Sequence, residues 1–436
     1  TTQVAGLTIS AAILALGLLR LRAAVLTWIL LGGLVTFDVY TQRNAAIRLS
    51  TVVLSGLLIE WGVRQLRRRT WPVPESRLTR PLFVLAGVAV VSSIQGVVFY
   101  DGNVAGGHRH FAAEIYATAL YGLSIATTFL VAAQIDSRAA LANSCRALVA
   151  AGVVALFVCA MTPLPWYPLI VTHAAALVWA RLLFDPPRSF WLQALGCGWV
   201  IFVVVECIGM SFLVPTEAQW VSGWVMLGVA LATVTVLRMG WKFWLVGLPG
   251  SGVALWLVGP ALQRMVNIAQ SEGDFGRVRL WGDALKLMIR RPVLGVGPGN
   301  YLDYVLSYGD NGFTSAHGNY QQALAEIGVV GCGALVWVIW RSFRLSWNLH
   351  RSVDDPGLDA VAVGVTGGLA GVVAASVLGD YFIPAYHNGG HTTLTTTLYT
   401  WIMLGLLVGI EQLTRSAALV SGPVGPENPG SSQKSR

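Results

Sequence analysis

Three arginines and one histidine lie in one polar stretch of the chain, and their chemistry is complementary. Arg264, Arg277 and Arg279 precede His317 within residues 261–325. Guanidinium groups stay charged and bind phosphate oxygens through paired hydrogen bonds. Histidine changes its protonation near neutral pH and can accept the proton of a hydroxyl. The four residues together indicate a site at which a diphosphate leaves and an alcohol attacks.

Each of these residues also has a purely structural interpretation, which the sequence leaves open. Arg264 could anchor the chain at a membrane interface, and His317 could cap a helix or be buried. Arg277 and Arg279 come just before a predicted helix, where a cation opposes the helix dipole. That unfavourable placement favours a functional role for one of these two arginines.

Two neighbouring features are predicted to be structural. The glycine cluster at 295–299, GVGPG, follows Pro292, differs from the GxGxxG spacing and has no predicted strand before it, so it predicts a turn and not a phosphate loop. Glu326 follows His317 by nine residues, which is about two and a half turns of a continuous helix. We therefore expect Glu326 to be satisfied by neighbouring helices and not to be a direct partner of His317.

The composition shows what kind of protein positions these groups. The chain has 436 residues, of which 55% are apolar and 11% charged, with a mean hydropathy of +0.63. An ordinary soluble domain carries roughly 25% charged residues. These values exclude an ordinary soluble enzyme and a disordered protein, and the net charge of +8 is too thinly spread for a nucleic-acid-binding face. The chain is predicted to be a polytopic membrane protein.

Apolar runs of membrane-spanning length follow one another along the chain and predict an all-α fold with 12 or 13 transmembrane helices. The predicted organisation is a transmembrane bundle (1–260), a periplasmic catalytic loop (261–325), C-terminal transmembrane helices (326–415) and a disordered cytoplasmic tail (416–436). The runs lie near 4–19, 23–40, 45–63, 81–100, 113–134, 147–162, 166–184, 189–210, 219–237, 243–260, 326–343, 357–379 and 393–412.

Within the loop, residues 280–290 have helical periodicity and predict an amphipathic interfacial helix. Leu280, Ala284 and Leu287 fall on its apolar face, whereas Asp283 and Lys286 are predicted to lie on its wet side.

The distribution of arginine predicts the orientation. The run at 64–80 and the basic segments that follow it alternate consistently between helices, so we expect them all on the cytoplasmic side. This register places residues 261–325 on the periplasmic side, together with 101–112 and 380–392. It also places Arg238 on the inner side.

The motifs of the loop resemble those of the O-antigen ligase and polymerase family. Members show an arginine four residues before an aromatic residue, then a proline followed by GxG, and a histidine before an LxE-like helix start. Asn often follows that histidine directly, whereas this chain has Gly318 there. Upstream, the TVLRMGW stretch at 235–241 is similar to the family's Thr-x-Ser-Arg-x-Gly stretch and makes Arg238 a further candidate. The loop features lie at Arg277 and Trp281, at Pro292 with Gly295 and Gly297, and at His317 with Leu324 and Glu326.

The resemblance implies glycosyl transfer on the outer face of a bacterial inner membrane. The donor would be a glycan on undecaprenyl diphosphate, and the acceptor a sugar hydroxyl of lipid A-core for a ligase or of another glycan for a polymerase. His317 would be the general base, and Arg264, Arg277, Arg279 and Arg238 would bind the diphosphate. The reaction would invert the anomeric centre and need no metal or other cofactor, because arginine replaces the cation.

Three alternatives stay open at this point. A polymerase or a protein O-oligosaccharyltransferase would use the same donor, and the acceptor pocket has no readable motif. A membrane transporter or flippase is the alternative from a different class, although an inverted repeat is not evident in the sequence. Besides donor and acceptor, the expected partners are membrane lipids, and nucleic acid is excluded.

Overall fold

The computed structural model describes residues 2–33, 38–40, 46–69, 73–104, 109–161, 168–213, 221–243, 277–309, 315–386 and 393–420. Within these ranges the chain is helical apart from one short antiparallel hairpin. The elements are α1 (Thr2–Leu19), α2 (Leu21–Leu31), β1 (Asp38–Tyr40), β2 (Ala46–Arg48), α3 (Leu49–Arg68), α4 (Thr79–Val98), α5 (Arg109–Ala133), α6 (Arg138–Met161), α7 (Pro168–Phe184), α8 (Phe190–Leu213), α9 (Val221–Met239), α10 (Arg277–Arg290), α11 (Tyr301–Tyr308), α12 (Asn319–Ser352), α13 (Pro356–Ala375) and α14 (Thr393–Val420).

The predicted fold class, an all-α polytopic membrane protein, is confirmed. Eight of the described helices are long and apolar enough to cross a membrane, and three shorter apolar helices accompany them. The eight long ones lie in α4, α5, α6, α8, α9, α12, α13 and α14. The predicted run at 243–260 lies almost wholly outside the described residues, so the total of 12 or 13 spans stays a prediction.

The centre of the bundle is α14. Each residue from 401 to 410 is buried, so this helix is covered on all sides by other helices and not by lipid. Its C-terminal end reaches Val420, which corrects part of the predicted disordered tail, because residues 416–420 are helical. The remaining tail residues, 421–436, lie outside the described residues.

The second predicted span, 23–40, is wrong in its C-terminal half. The helix α2 ends at Leu31, and residues 38–40 form a strand that pairs with residues 46–48. A specific contact ends the helix: the hydroxyl of Tyr399 donates to the carbonyl of Ile29 at 2.9 Å and accepts the N–H of Gly33 at 3.2 Å. The buried Tyr399 hydroxyl thus replaces the helical hydrogen bond from the N–H of Gly33 to the carbonyl of Ile29. Hydropathy alone cannot predict this contact.

Ion pairs join the basic segments at one end of the bundle. Arg22 contacts Asp136 at 2.5 Å, and Arg138 pairs with Asp355. These contacts connect the start of α2 with the starts of α6 and α13. The prediction that the basic segments share one side is confirmed for the starts of α6 and α13, and the start of α2, which that prediction did not include, lies at the same end.

The other end carries the outer segments predicted from the register. Ser315 donates to Asp380 at 3.0 Å, which joins the loop to the segment after α13. The Tyr308 hydroxyl donates to Asp101, which joins α11 to the segment after α4. The loop therefore lies against both of the other outer segments, as expected.

Candidate active site

A break in α12 forms the base of the candidate site. Gly328 has φ +65° and ψ −169°, so the helix that begins at Asn319 is interrupted after about two and a half turns. The interruption frees backbone groups that cannot stay unpaired in an apolar environment. The glycine-rich segment pairs with them: Val296 donates to Ala325 and Gly297 donates to Glu326, both at 2.9 Å.

The pairing continues on the other side of the break. Val329 donates to the carbonyl of Pro292 at 2.9 Å. A Cβ at position 328 would lie 2.4 Å from the carbonyl oxygen of Val293. Glycine at this position therefore allows both the left-handed conformation and the close backbone approach.

The glycine cluster is a turn, as predicted. Gly295, Gly297 and Gly299 have φ values of +69°, +101° and +81°, which glycine adopts at no steric cost. We refer to residues 292–300 as the glycine turn. The helix α4 holds it in place, because Ser92 donates to the carbonyl of Leu294 at 2.6 Å.

Glu326 has hydrogen-bond partners within the fold, as predicted, but they lie in the glycine turn and in its own helix and not in neighbouring helices. It is buried, and one carboxylate oxygen accepts the N–H of Gly299 at 3.1 Å and the side-chain amide of Gln322 at 2.7 Å. The same Gln322 side chain accepts the N–H of Ala316 at 3.0 Å through its oxygen. A continuous set of hydrogen bonds thus connects the glycine turn with the residue before His317.

A second buried carboxylate supports the turn from the opposite side. Glu114 of α5 is fully buried, and a Cβ at Gly297 would lie 2.3 Å from its Oε1. A Cβ at Gly96 of α4 would lie 2.1 Å from the same oxygen. Glu114 therefore occupies the space that these two glycines leave between α4 and the glycine turn.

The backbone of His317 has a left-handed conformation that residues other than glycine rarely adopt. Its φ is +47°, which costs about 1–3 kcal/mol and persists only where the surroundings impose it. The Ser315 hydroxyl accepts the N–H of His317 at 3.0 Å and donates to Asp380 at 3.0 Å. The imidazole is neither fully buried nor fully exposed. An imposed backbone conformation at a reachable histidine is typical of a functional site.

The helix α10 shares a buried cluster with the residue next to His317. Ala284 and Leu287 of α10 pack in one cluster with Ala316 and with Val296 of the glycine turn. The predicted amphipathic helix is thus confirmed, and it lies beside the candidate site.

One residue of α10 was assigned to the wrong face. Asp283, predicted on the wet side, is buried and contacts the Lys286 ammonium at 3.0 Å. It comes three residues after Leu280 and four before Leu287, so it lies at the edge of the buried face.

Two of the candidate arginines lie at the start of α10. Arg277 is the first residue of α10, and its side chain is not described; Arg279 is in the first turn and exposed. Arg264 lies outside the described residues. Among the described residues, His, Cys, Asp and Glu side chains do not group in threes as a metal site would need.

Arg238 lies at the other end of the molecule, which corrects its assignment to the diphosphate site. Its guanidinium is 5.5 Å from the ring centre of Phe184, and that ring contacts His350 with a centroid distance of 5.7 Å. His350 is near the C-terminal end of α12, about 33 Å along the helix from the break at Gly328. The resemblance of TVLRMGW to a family motif therefore does not bring Arg238 to His317.

Part of the chain is similar to a known protein family. A family model described as O-antigen ligase matches residues 218–336. This segment of the chain is therefore similar to the O-antigen ligase family. The matched segment contains α9, the predicted loop, α10, α11 and the first part of α12 with its break. A search of curated proteins finds no match to this chain.

Several residues that hold the candidate site together were not identified from the sequence. Ser315 and Gln322 have no distinctive spacing, and their role depends on contacts that form only in the fold. Asp380 carried a weak signal, because it is the single acidic residue of the outer segment 380–392.

Proposed function

We propose that this protein transfers an O-antigen glycan from undecaprenyl diphosphate onto a sugar hydroxyl of lipid A-core. The observation that carries the proposal is the imposed conformation of His317, fixed through Ser315 and Asp380 beside the glycine turn. The family match supports the broader class, a membrane protein of the ligase and polymerase type that acts on lipid-linked glycans.

In the proposed step, the imidazole of His317 accepts the proton of the acceptor hydroxyl. The hydroxyl oxygen then forms a bond to the anomeric carbon from the face opposite the leaving group. The bond between that carbon and the diphosphate oxygen breaks, and undecaprenyl diphosphate leaves. This single displacement inverts the anomeric centre.

Arginine side chains of the loop stabilise the charge that develops on the leaving diphosphate. We assign this role to Arg264, Arg277 and Arg279, and not to Arg238. Their guanidinium groups act in a poorly screened interfacial site, where fixed charges are more effective than in water. This role replaces a divalent cation, so full activity in a chelator is expected.

The arginine-rich end of the bundle belongs on the cytoplasmic side by the positive-inside rule. The candidate site is at the other end and therefore faces the periplasm of the bacterial inner membrane. This is the side on which a flipped lipid-linked glycan presents its diphosphate.

The decisive experiment removes the proposed base. His317→Ala in purified, reconstituted protein is expected to lower glycan transfer by roughly 10²–10⁴-fold, as for loss of a general base, while binding of the lipid-linked donor persists. His350→Ala is the matched control, because its imidazole pairs with Asp359 at the other end of α12. Near-normal transfer by His317→Ala would end the assignment.

A polymerase would use the same donor site, and the cellular products separate the two activities. In a strain lacking this protein, loss of all long-chain glycan on lipid A-core, with polymer accumulating on the lipid carrier, supports a ligase. Retention of a single repeat on lipid A-core supports a polymerase.

A further inference from the structure

A cavity at the arginine-rich end of the bundle lies outside the candidate active site. It has a volume of about 380 Å³ and is formed by the start of α6, the C-terminal half of α7 and the start of α13. Its lining residues are Arg138, Leu141, Ala142, Arg146, Arg181, Asp355, Gly357, Leu358 and Val361.

The lining combines an apolar floor with a cationic rim. Leu141 and Leu358 are buried and form the apolar floor of the cavity. Such a floor suits a ligand with an apolar part. Arg138 and Arg181 have exposed fractions of 72% and 50%, and Arg146 is exposed as well. An apolar surface beneath several exposed guanidinium groups matches an amphiphile with an anionic head.

The acidic residue of the cavity is already engaged. One carboxylate oxygen of Asp355 accepts the N–H groups of Gly357 and Leu358, at 2.8 and 3.0 Å, and caps α13. The other oxygen pairs with Arg138. Asp355 thus positions the rim and is not directed at a ligand.

The charge that remains is centred on Arg146. Arg181 pairs with Asp185, whereas Arg146 donates to the neutral side-chain oxygen of Asn143 at 2.9 Å. A guanidinium held by a neutral amide keeps its full charge and can bind a phosphate oxygen bidentately. The rim therefore has an excess of positive charge above the apolar floor.

We propose that this cavity binds the phosphate of an anionic phospholipid, with the glycerol and upper acyl chain on Leu141 and Leu358. Basic cavities between transmembrane helices near the cytoplasmic face are suited to such head groups. The site is independent of the proposed glycosyl transfer. A free phosphate ion could bind the same guanidinium groups, but it would make no contact with the apolar floor.

The test measures binding of phosphatidylglycerol to the purified full chain, by native mass spectrometry in detergent, against phosphatidylcholine. Wild type is expected to prefer phosphatidylglycerol, and Arg146→Gln to weaken its binding about fivefold, the effect of one arginine near an anionic surface. Ala142→Phe, which fills the cavity without a change of charge, is expected to abolish the preference. Arg188→Gln is the matched control, because Arg188 is an exposed arginine that does not line the cavity.

Inorganic phosphate distinguishes the two sources of the head group. If millimolar phosphate leaves phosphatidylglycerol binding intact, the lipid is the ligand as proposed, whereas full displacement by phosphate would overturn the lipid assignment. Equal binding by wild type, Arg146→Gln and Ala142→Phe would overturn the site itself. So would an effect of Arg188→Gln as large as that of Arg146→Gln.

Discussion

The hydroxyl of Ser315 accepts a hydrogen bond from the backbone N–H of His317 at 3.0 Å and donates one to the carboxylate of Asp380 at 3.0 Å. This relationship spans two segments of the chain, because Asp380 follows α13. It compensates the left-handed backbone at His317 with a defined hydrogen bond. The orientation of the imidazole therefore depends on Ser315, two positions before His317, and on the Asp380 carboxylate, which is 65 positions after Ser315.

The first prediction removes this support. Ser315→Ala is expected to lower kcat for glycan transfer by roughly 10- to 100-fold, because a small misplacement of a reacting group is sufficient for such a loss. The donor KM is expected to stay within a factor of about two. Steady-state kinetics on reconstituted protein give both values.

Ser352→Ala is the control for this experiment. The hydroxyl of Ser352 donates to the carbonyl of Asn348 at the exposed end of α12, so its loss is expected to leave kcat unchanged. A Ser315→Ala variant with normal kcat would show that the backbone of His317 does not need this hydrogen bond.

The second prediction concerns the break in α12. Gly328→Ala would place a Cβ 2.4 Å from the carbonyl oxygen of Val293, at φ +65°. The left-handed conformation and the overlap together are expected to cost roughly 3 kcal/mol. Gly333→Ala, in the same helix with no described atom within 4 Å of the added Cβ, is expected to be neutral or slightly stabilising. Thermal unfolding in detergent compares the two, and equal midpoints would contradict the tight approach.

The third prediction separates the two ends of the molecule. Arg279→Gln is expected to raise the donor KM by about tenfold or more, as for loss of a charged hydrogen bond, and Arg279→Lys to fall between this variant and wild type. Arg238→Gln is the matched control and is expected to change KM by less than about twofold. A severe loss in Arg238→Gln with normal binding by Arg279→Gln would reverse the assignment made from the structure.

Local sequence patterns predicted much of the architecture. The length and hydropathy of the apolar runs located the helices from α3 to α9, because a membrane-spanning helix needs a continuous apolar stretch. The periodicity of Leu280, Ala284 and Leu287 predicted α10 for a similar reason, because one face of a helix must be apolar where it packs.

The candidate site was less predictable, because its contacts connect distant parts of the chain. The pairing of the glycine turn with the break at Gly328 depends on two segments that meet only in the fold. The motif alone could not exclude Arg238, since sequence similarity does not show at which end of a helix a side chain lies. Asp380 was missed for the same reason, because its partner Ser315 precedes α12 whereas Asp380 follows α13.

The last prediction uses the contact between Tyr308 and Asp101, which joins α11 to the segment after α4. The hydrogen bond from Tyr308 lowers the pKa of the Asp101 carboxyl, helped by the N–H of Asn103 at 3.0 Å. The same bond raises the pKa of the Tyr308 hydroxyl. A depressed carboxyl pKa contributes stability that is present above its ordinary value, about 3.9, and is lost as pH falls through the value in the folded state. A raised phenol pKa contributes stability that is present below about 10 and is lost as pH rises through its value in the folded state.

We therefore expect the difference in thermal midpoint between wild type and Tyr308→Phe to be largest in the neutral range and to shrink toward both extremes. Phenylalanine keeps the ring on which the Arg290 guanidinium lies at 3.8 Å, so the variant isolates the hydroxyl. Tyr116→Phe is the control for the acid side, because the Tyr116 hydroxyl has no hydrogen-bond partner among the described residues; its midpoint difference should not vary between about pH 3 and 8, well below the ordinary pKa of tyrosine. Unfolding scans from about pH 3 to 10.5, chosen to bracket the two ordinary pKa values, provide the measurement. A difference for Tyr308→Phe that stays constant over this range would show that the bond to Asp101 does not carry the linkage.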